Sequence, residues 1–173
     1  NYEIIIIDDG STDNSKKILN KYLKNKKIRI IFQKKIGLIK SSNVAIKAAK
    51  GNFIMRLDSD DFLDKNALTI FYNNIKKNRA SLVFSDYYVV SEKSDLVYEY
   101  KYNIKQNSII HNENAFHGAC CLINRNDLIE VGMYDETFKR HDGYNLWLKF
   151  IKNYKISHIR LPLWSYRRHG SNL

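Results

Sequence analysis

The chain has 173 residues, 44% of them hydrophobic, and a single proline, a composition that permits a substantial core and excludes a disordered chain. No apolar run approaches the roughly 18 residues that a membrane-spanning helix requires. The formal net charge is +11, but 21 of the 29 basic residues are lysine, and arginine is the better residue for bidentate phosphate recognition. We therefore expect no nucleic-acid partner and a solvated lysine-rich surface, with attraction to an anionic membrane face or to phosphorylated substrates as the alternative.

Strands and helices alternate over the first ninety residues. Strands are predicted at residues 3–8, 28–33, 52–58 and 82–90, and helices at residues 13–25, 37–49 and 66–77. This order favours an α/β fold with a mostly parallel central sheet flanked by helices. In the first helix, Ile18, Leu19, Tyr22 and Leu23 recur at helical spacing, so we expect this stripe to face the core.

The pattern is looser after residue 90. We predict a hairpin arm or edge strand at residues 96–102, a short strand at 119–123, a helix from about residue 127, an amphipathic helix at 144–153, and closing strands at 156–161 and 163–168. No linker or internal repeat divides the chain. We therefore expect one domain over residues 1–173, with a front half at residues 1–90 and a more variable half at residues 91–173.

The two cysteines, Cys120 and Cys121, are adjacent. Neighbours in an extended strand point to opposite faces, so they are poorly placed to form a disulfide with each other. We interpret both as buried structural thiols. Free buried thiols fit a reducing cytoplasmic setting. The positive net charge suggests the inner face of the cell membrane as a further location.

Two acidic clusters follow two apolar strand-like runs. One cluster opens with Asp8 and Asp9 after residues 4–7, and the other spans residues 58–61 after residues 53–57. Ligands of parallel sheets bind beyond the carboxyl ends of the strands. We therefore expect both clusters at one rim, where carboxylates can hold a cation or accept a hydrogen bond from a base.

These clusters belong to a longer series of motifs. They are IIIDDGSTD at residues 5–13, GLIKSSN through AAKG at 37–51, LDSDD at 57–61, DGYNLWL at 142–148 and YRRH at 166–169. In this order they resemble family 2 glycosyltransferases, which have the GT-A fold. The sequence departs from the family pattern in two places. The first strand of the pattern, which lies centrally between the strands bearing the two acidic clusters, is missing, and this suggests N-terminal truncation. Asn145 replaces the second acid of the late motif.

The resemblance implies a metal-dependent, inverting transfer of a sugar. The donor would be a nucleotide-diphosphate sugar, UDP-linked by expectation, and the acceptor a glycan or lipid-linked glycan of bacterial surface polysaccharide synthesis. In this interpretation residues 1–90 are the nucleotide-binding half and residues 91–173 the acceptor-binding half.

The resemblance also assigns residues to the donor. Asp9 matches the carboxylate that accepts a hydrogen bond from the base, and Asp8 and Asp58 are assigned to the nucleotide with it. The alternative is that Asp8 and Asp9 only cap the next helix. An ionised carboxylate is an acceptor only, so it suits a ring N–H. Lys40 is a candidate phosphate contact, with an ordinary exposed helical lysine as the alternative.

The metal residues follow from the same likeness. Asp60 is the expected direct ligand of Mn²⁺ or Mg²⁺, with Asp58 beside it, because these cations prefer carboxylate oxygens. His169, near the end of the chain, is expected to complete the site. A solvated turn that caps the next helix is the alternative interpretation of the acidic run.

For the acceptor side, Asp142 occupies the catalytic-base position of the late motif. A base must reach the attacking hydroxyl, and His141 is the alternative because its pKa lies nearer neutrality. His117, Gly118 and His141 are the candidate acceptor-binding residues.

Three other functions fit parts of the pattern. A catalytically inactive GT-A domain used for binding would keep the same fold. A magnesium-binding phospho-receiver domain also has paired acids after its first strand, but it needs a Lys-Pro pair, and the sole proline, Pro162, follows Leu161. A phosphatase with an Asp-x-Asp strand end fits the flanking residues poorly.

Overall fold

The computed structural model describes residues 1–103, 118–138 and 142–170. In chain order the elements are β1 (Ile4–Asp8), α1 (Ser15–Leu19), β2 (Ile28–Phe32), α2 (Leu38–Ala48), β3 (Phe53–Met55), β4 (Phe62–Leu63), α3 (Ala67–Asn78), β5 (Leu82–Val90), β6 (Leu96–Tyr100), β7 (Leu122–Asn124), α4 (Arg125–Glu130), α5 (Asp142–Asn153) and β8 (Ile156–Arg167). A 3₁₀ turn at Asn20–Tyr22 follows α1.

The strands form two sheets of different character. β1 and β2 make a parallel pair, and a six-stranded sheet has the order β3-β7-β5-β8-β4, with β6 also on β5. In the described part of the larger sheet only β5 and β8 are parallel, and the other four pairings are antiparallel. The α/β class with helices beside the sheets is confirmed, but a mostly parallel sheet is wrong. β6 follows β5 after a short connection and pairs antiparallel with it. β4 and β7 pair antiparallel with strands that are distant in the chain.

One long strand replaces two predicted ones at the end of the chain. β8 runs through Pro162, where the register against β5 shifts: Ser85 lies opposite Ile159, while Asp86 lies opposite Pro162. Proline has no N–H for the ladder, so the sequence suggests a break there. β8 nevertheless continues past Pro162, with an irregularity that leaves residues 160 and 161 outside the register with β5.

The long helices lie close to their predicted positions. α2 and α3 differ from prediction by one residue at each end, and α5 begins two residues earlier than predicted. Among the helices of the described ranges, none combines the length and the apolar character needed to cross a bilayer.

Apolar clusters lie on both faces of the six-stranded sheet. α3 contributes Phe71 and Ile75 to one cluster, and α5 contributes Trp147 and Phe150 to the other. Successive residues of β5 join different clusters because side chains alternate along a strand. Together with α3, α4 and α5, this sheet is called the rear sheet below.

The two cysteines belong to this buried region. Cys120 and Cys121 are 0% and 3% exposed and are free thiols, as predicted. Burial raises the pKa of both thiols. The backbone N–H of Cys120 donates to the carbonyl oxygen of Arg56 at 2.7 Å, which ties the start of β7 to the end of β3.

Residues 1–36, called the front layer, are covered far less. The predicted core stripe of the first helix is wrong: Ile18, Tyr22 and Leu23 are 52%, 46% and 56% exposed. The helix is also shorter than predicted, and none of its residues is buried. A sheet of two strands presents too little surface to cover one face of a helix, so the apolar spacing finds no partner among the described residues.

Candidate functional site

The acidic loop, residues 58–61, follows β3 and is oriented by an ion pair. Arg56 Nε lies 3.1 Å from Asp58 Oδ1, and the two side chains are 14% and 25% exposed. The Asp61 amide donates to the Asp58 carbonyl oxygen at 3.2 Å and closes the turn. Because the pair is sheltered, dissolved salt screens it less than a surface pair, and it orients the Asp58 carboxylate.

The end of β8 brings a histidine to this loop. β4 and β8 pair antiparallel, with Phe62 opposite Ser165, so the residues before β4 meet the residues after β8. His169 Nε2 lies 2.9 Å from Asp60 Oδ2. The structure thus places two of the three predicted metal residues in contact, while their role as ligands stays a prediction.

Arg167 fastens the loop from the same strand end. Its backbone N–H donates to Asp61 Oδ1 at 3.0 Å and its Nε donates to the Asp60 carbonyl oxygen at 2.9 Å. Its Nη1 donates to the Glu92 carbonyl oxygen and to Ser94 Oγ, at 2.7 and 2.8 Å. This role was not predicted, because the acidic partners lie more than one hundred positions away and leave no local signal.

Asp61 is the most unusual carboxylate of the loop. It is 8% exposed, and its Oδ2 has no hydrogen-bond partner among the described residues. Burial, together with the negative charges of Asp60 and Asp58, raises its pKa to about 6. At neutral pH it is therefore largely ionised with one oxygen unpaired, a state that a nearby cation would stabilise.

A divalent cation at this loop would need oxygen or nitrogen donors that lie close together. No group of three or more His, Cys, Asp or Glu side chains in residues 1–103, 118–138 and 142–170 is arranged to hold a metal by itself. Mg²⁺ at nucleotide sites, however, is held by one or two carboxylates plus substrate phosphates. Asp60 Oδ2 and His169 Nε2, 2.9 Å apart, offer two donors for such a site, and the binding of a cation here stays a prediction.

The first acidic cluster has a buried carboxylate at the end of β1. Asp8 is 3% exposed and its Oδ1 accepts the Ser11 N–H at 2.8 Å. This hydrogen bond from the Ser11 amide holds the pKa of Asp8 below its ordinary value. Asp8 Oδ2 is buried and has no hydrogen-bond partner among the described residues, and nucleotide binding by Asp8 stays a prediction.

Asp9 is engaged within the protein. Its Oδ1 accepts from Gln33 Nε2 at 2.8 Å and from the Ile36 amide at 2.9 Å, and its Oδ2 accepts from the Gly37 amide at 2.8 Å. Partial burial alone would raise the pKa of Asp9, but these hydrogen bonds outweigh it and lower the pKa. Asp9 therefore fixes the start of α2, a role that the sequence did not indicate, and base recognition stays a prediction.

α2 connects the two acidic clusters. Its start is held by Asp9, and its Asn43 is hydrogen-bonded to Tyr134, whose ring lies over the Arg56 guanidinium. Lys40, the predicted phosphate contact, is exposed on this helix. Its contact with a phosphate stays a prediction.

The acceptor side is described in part. Gly118 is half-buried, and its carbonyl oxygen accepts from Tyr134 Oη at 3.5 Å. His117 and His141 lie outside the described residues. Asp142 is the first residue of α5, and its side chain also lies outside the described part.

Comparisons with known proteins agree on one family. A family model described as glycosyl transferase family 2 matches residues 1–132, a span that ends before Asp142. The glycosyltransferase GlyG of Streptococcus pneumoniae is 35% identical over 58% of this chain and 34% of its own length. A chondroitin synthase of Escherichia coli is 27% identical over 98% of this chain and 25% of its own length.

A solved structure gives the fold over nearly the whole chain. S. aureus TarS in complex with UDP-GlcNAc superposes with a TM-score of 0.80 and 19% identity, covering 98% of this chain and 50% of that chain. A likeness at this identity shows the GT-A fold alone. The chain spans a quarter to a half of the length of the three proteins compared.

Proposed function

This chain belongs to glycosyltransferase family 2, and from that premise we propose that it transfers a sugar from a nucleotide-diphosphate donor to a glycan or lipid-linked glycan. The observation that carries the proposal is the contact between Asp60 and His169, 2.9 Å apart, beside the unpaired carboxylate oxygen of Asp61. Bacterial surface polysaccharide synthesis is the proposed setting, in keeping with the relatives.

The donor is proposed to be a UDP-sugar. TarS, which shares the fold, has been solved with UDP-GlcNAc. In this chain Asp9 would accept a hydrogen bond from the base, and Asp8 and Asp58 would bind the nucleotide. Lys40 would contact a phosphate as a point charge. Asp9 retains this capacity because a carboxylate offers about four acceptor sites and three are used.

Asp60 and His169, with Asp58, would hold the cation, Mn²⁺ or Mg²⁺. When bound, such an ion neutralises the charge that develops on the leaving diphosphate. An imidazole beside carboxylates is a softer donor set than oxygen alone, which favours Mn²⁺. Arg167 positions both Asp60 and Asp61 through the loop backbone and the Asp61 carboxylate.

In the proposed reaction, an acceptor hydroxyl oxygen attacks the anomeric carbon from the face opposite the leaving group. The bond from that carbon to the diphosphate oxygen breaks, and the nucleoside diphosphate leaves with the electron pair. Asp142 would take the hydroxyl proton. His117, Gly118 and His141 would line the acceptor side.

The first test is Asp60→Ala. Release of UDP from UDP-GlcNAc with Mn²⁺ should fall by about 100- to 1000-fold, as for the loss of one key electrostatic group. Glu92→Ala, which removes an exposed carboxylate, should leave the rate and the melting temperature unchanged. Full UDP release with unchanged Mn²⁺ binding in Asp60→Ala would refute the metal assignment.

The second test is Asp142→Asn. UDP binding, measured by thermal shift, should persist while transfer falls by orders of magnitude, because a base acts only in the transition state. A loss of UDP binding instead would place Asp142 in the donor site and contradict its role as base.

We further propose a cytoplasmic location with peripheral contact to the anionic inner face of the membrane. The support is the net charge of +11, carried mainly by lysine. Sedimentation with vesicles containing phosphatidylserine, compared with neutral vesicles, tests this contact.

A further inference from the structure

Asn43 has a buried side-chain amide, and its side-chain hydrogen bonds all run from α2 to one distant loop. It is 3% exposed. Its Oδ1 accepts the Tyr134 N–H at 3.1 Å, and its Nδ2 donates to the Tyr134 carbonyl oxygen at 2.9 Å and to Glu136 Oε1 at 3.0 Å. These partners lie at least 91 positions away along the chain. A fully satisfied buried amide of this kind fixes the geometry of what it holds.

The loop that Asn43 holds, residues 133–136, is named the junction loop. Tyr134 places its ring 5.6 Å from the Arg56 guanidinium carbon, and Arg56 is the ion-pair partner of Asp58. On the other side, Lys149 of α5 donates to the Met133 carbonyl oxygen at 2.9 Å. The junction loop therefore contacts both the support of the acidic loop and the helix that begins with Asp142.

The backbone of this loop does not follow a regular element. Gly132 has φ of 84° and Met133 has φ of 59°, in the left-handed region that a non-glycine residue adopts only when its surroundings require it. No β-ladder pairs residues 133–136 within the described ranges, and the side chain of Asn43 holds both the N–H and the carbonyl oxygen of Tyr134.

We propose that Asn43 is a positioning residue for sugar transfer: by clamping the junction loop it sets the placement of the acidic loop relative to the start of α5. The inference rests on the proposed function, in which the donor lies at Asp58–Asp60 and the base at Asp142. Asn43 itself touches no reacting atom. A reaction between groups carried by two separate elements is sensitive to displacements of about 1 Å, which can lower the rate by about 100-fold.

The chemistry of this position requires an amide. One side chain must accept one N–H and donate two hydrogen bonds, and a carboxamide does both. Asp at this position would keep the acceptor, lose both donors and place a second negative charge about 3 Å from Glu136. Asn43→Asp therefore opens the clamp with almost no change in volume.

The experiment compares Asn43→Asp with Asn126→Asp, the same exchange at an exposed residue of α4. The UDP release rate from UDP-GlcNAc with Mn²⁺, the Kd for UDP and hydrogen exchange are measured for each. We expect Asn43→Asp to lower the rate of UDP release by about 100-fold. The Kd for UDP should stay within about threefold of the wild-type value, a difference of under 1 kcal/mol. Amide hydrogen exchange should be faster at residues 133–136 and 56–61. Asn126→Asp should match the wild type.

Rescue separates positioning from a general loss of stability. In the double variant Asn43→Asp with Glu136→Gln, the amide introduced at position 136 can donate to the carboxylate introduced at position 43. If this contact contributes about 1.4 kcal/mol, the rate of the double variant should be at least about tenfold higher than that of Asn43→Asp. If Asn43→Asp loses its cooperative melting transition, Glu136→Ala alone takes its place, because it removes the acceptor of one Asn43 donor bond. It should fold, release UDP more slowly than wild type and keep the UDP affinity.

Four results overturn the positioning role. They are a wild-type rate in folded Asn43→Asp, an equal loss of rate and UDP affinity, no gain in the double variant, and a wild-type rate in Glu136→Ala where that variant takes the place of Asn43→Asp. A wild-type protein that releases no UDP from any UDP-sugar with Mn²⁺ instead refutes the proposed function, and the positioning role with it. Wild-type release with an unaffected Asn43→Asp refutes the positioning role alone.

Discussion

The front layer and the rear sheet contain similar apolar sequences but are stabilised in different ways. Residues 4–7 of β1 are four consecutive isoleucines, and none is buried, whereas β5 is buried along nearly its whole length. Asp8 is the single buried residue among residues 1–36. The number of neighbouring strands and helices, and not the apolar content of a segment, decides whether its side chains are covered.

Carboxylates hold the front layer in place of apolar burial. Glu3 Oε1 accepts the Lys50 and Gly51 amides at 2.6 and 3.2 Å. Asp8 and Asp9 accept backbone amides as well. Charge-assisted bonds to backbone N–H groups are among the stronger hydrogen bonds in proteins. The comparison predicts that single substitutions in the two regions act through different forces.

The largest effect on stability is expected in the rear sheet. Phe150 is 0% exposed in α5, and Phe150→Ala should lower the free energy of unfolding by about 3–5 kcal/mol through lost burial and a cavity. Leu148→Ala, at a 42% exposed position of the same helix, is the matched control and should change little. Urea unfolding measures both, and equal losses would contradict the assigned core.

Asp61, at the edge of the rear sheet, should give a pH dependence of opposite sign to that of the front layer. Its folded pKa of about 6 lies above the ordinary value of 3.8, so the stability gained from its protonated form is lost as pH rises through 6. Asp61→Asn keeps an acceptor for the Arg167 amide and should be more stable than wild type at pH 8 by up to about 3 kcal/mol.

The advantage of Asp61→Asn should shrink as the pH is lowered towards 4. Chemical denaturation at several pH values tests it, with the exposed Asp64→Asn as control. A constant difference between Asp61→Asn and wild type at all pH values would show that Asp61 is not a destabilised ion in the fold.

In the front layer, Asp9→Ala should be more damaging than any apolar truncation. It removes three hydrogen bonds at the start of α2 and should lower the free energy of unfolding by about 2 kcal/mol. Because the pKa of Asp9 is lowered, this contribution is present above pH 3.8 and is lost as pH falls below it. Asp13→Ala, which removes one exposed bond to Ser15, should have a smaller effect.

The smallest effect is expected from Ile18→Ala. The side chain is 52% exposed in α1, so the free energy of unfolding should change by no more than about 0.5 kcal/mol. A loss similar to that of Phe150→Ala would break the comparison, because it would mean that Ile18 is covered in solution.

Periodicity predicted most elements of the fold, and resemblance predicted the meeting of Asp60 with His169. Side-chain alternation and helical spacing are local signals, so α2, α3 and β5 were placed to within a residue or two. Strand direction in the rear sheet depends on partners distant in sequence and was not predicted. The roles of Asn43 and Arg167 were missed for the same reason, since their partners lie 73 to 107 positions away.

The two adjacent buried thiols make local opening of the protein measurable. Cys120 and Cys121 are protonated and shielded, so a maleimide can modify them only during excursions in which β7 separates from β3. The same excursions release the Cys120 amide from Arg56 and loosen the acidic loop. The rate of alkylation therefore reports how often the acidic-loop end of the rear sheet opens, without any engineered cysteine.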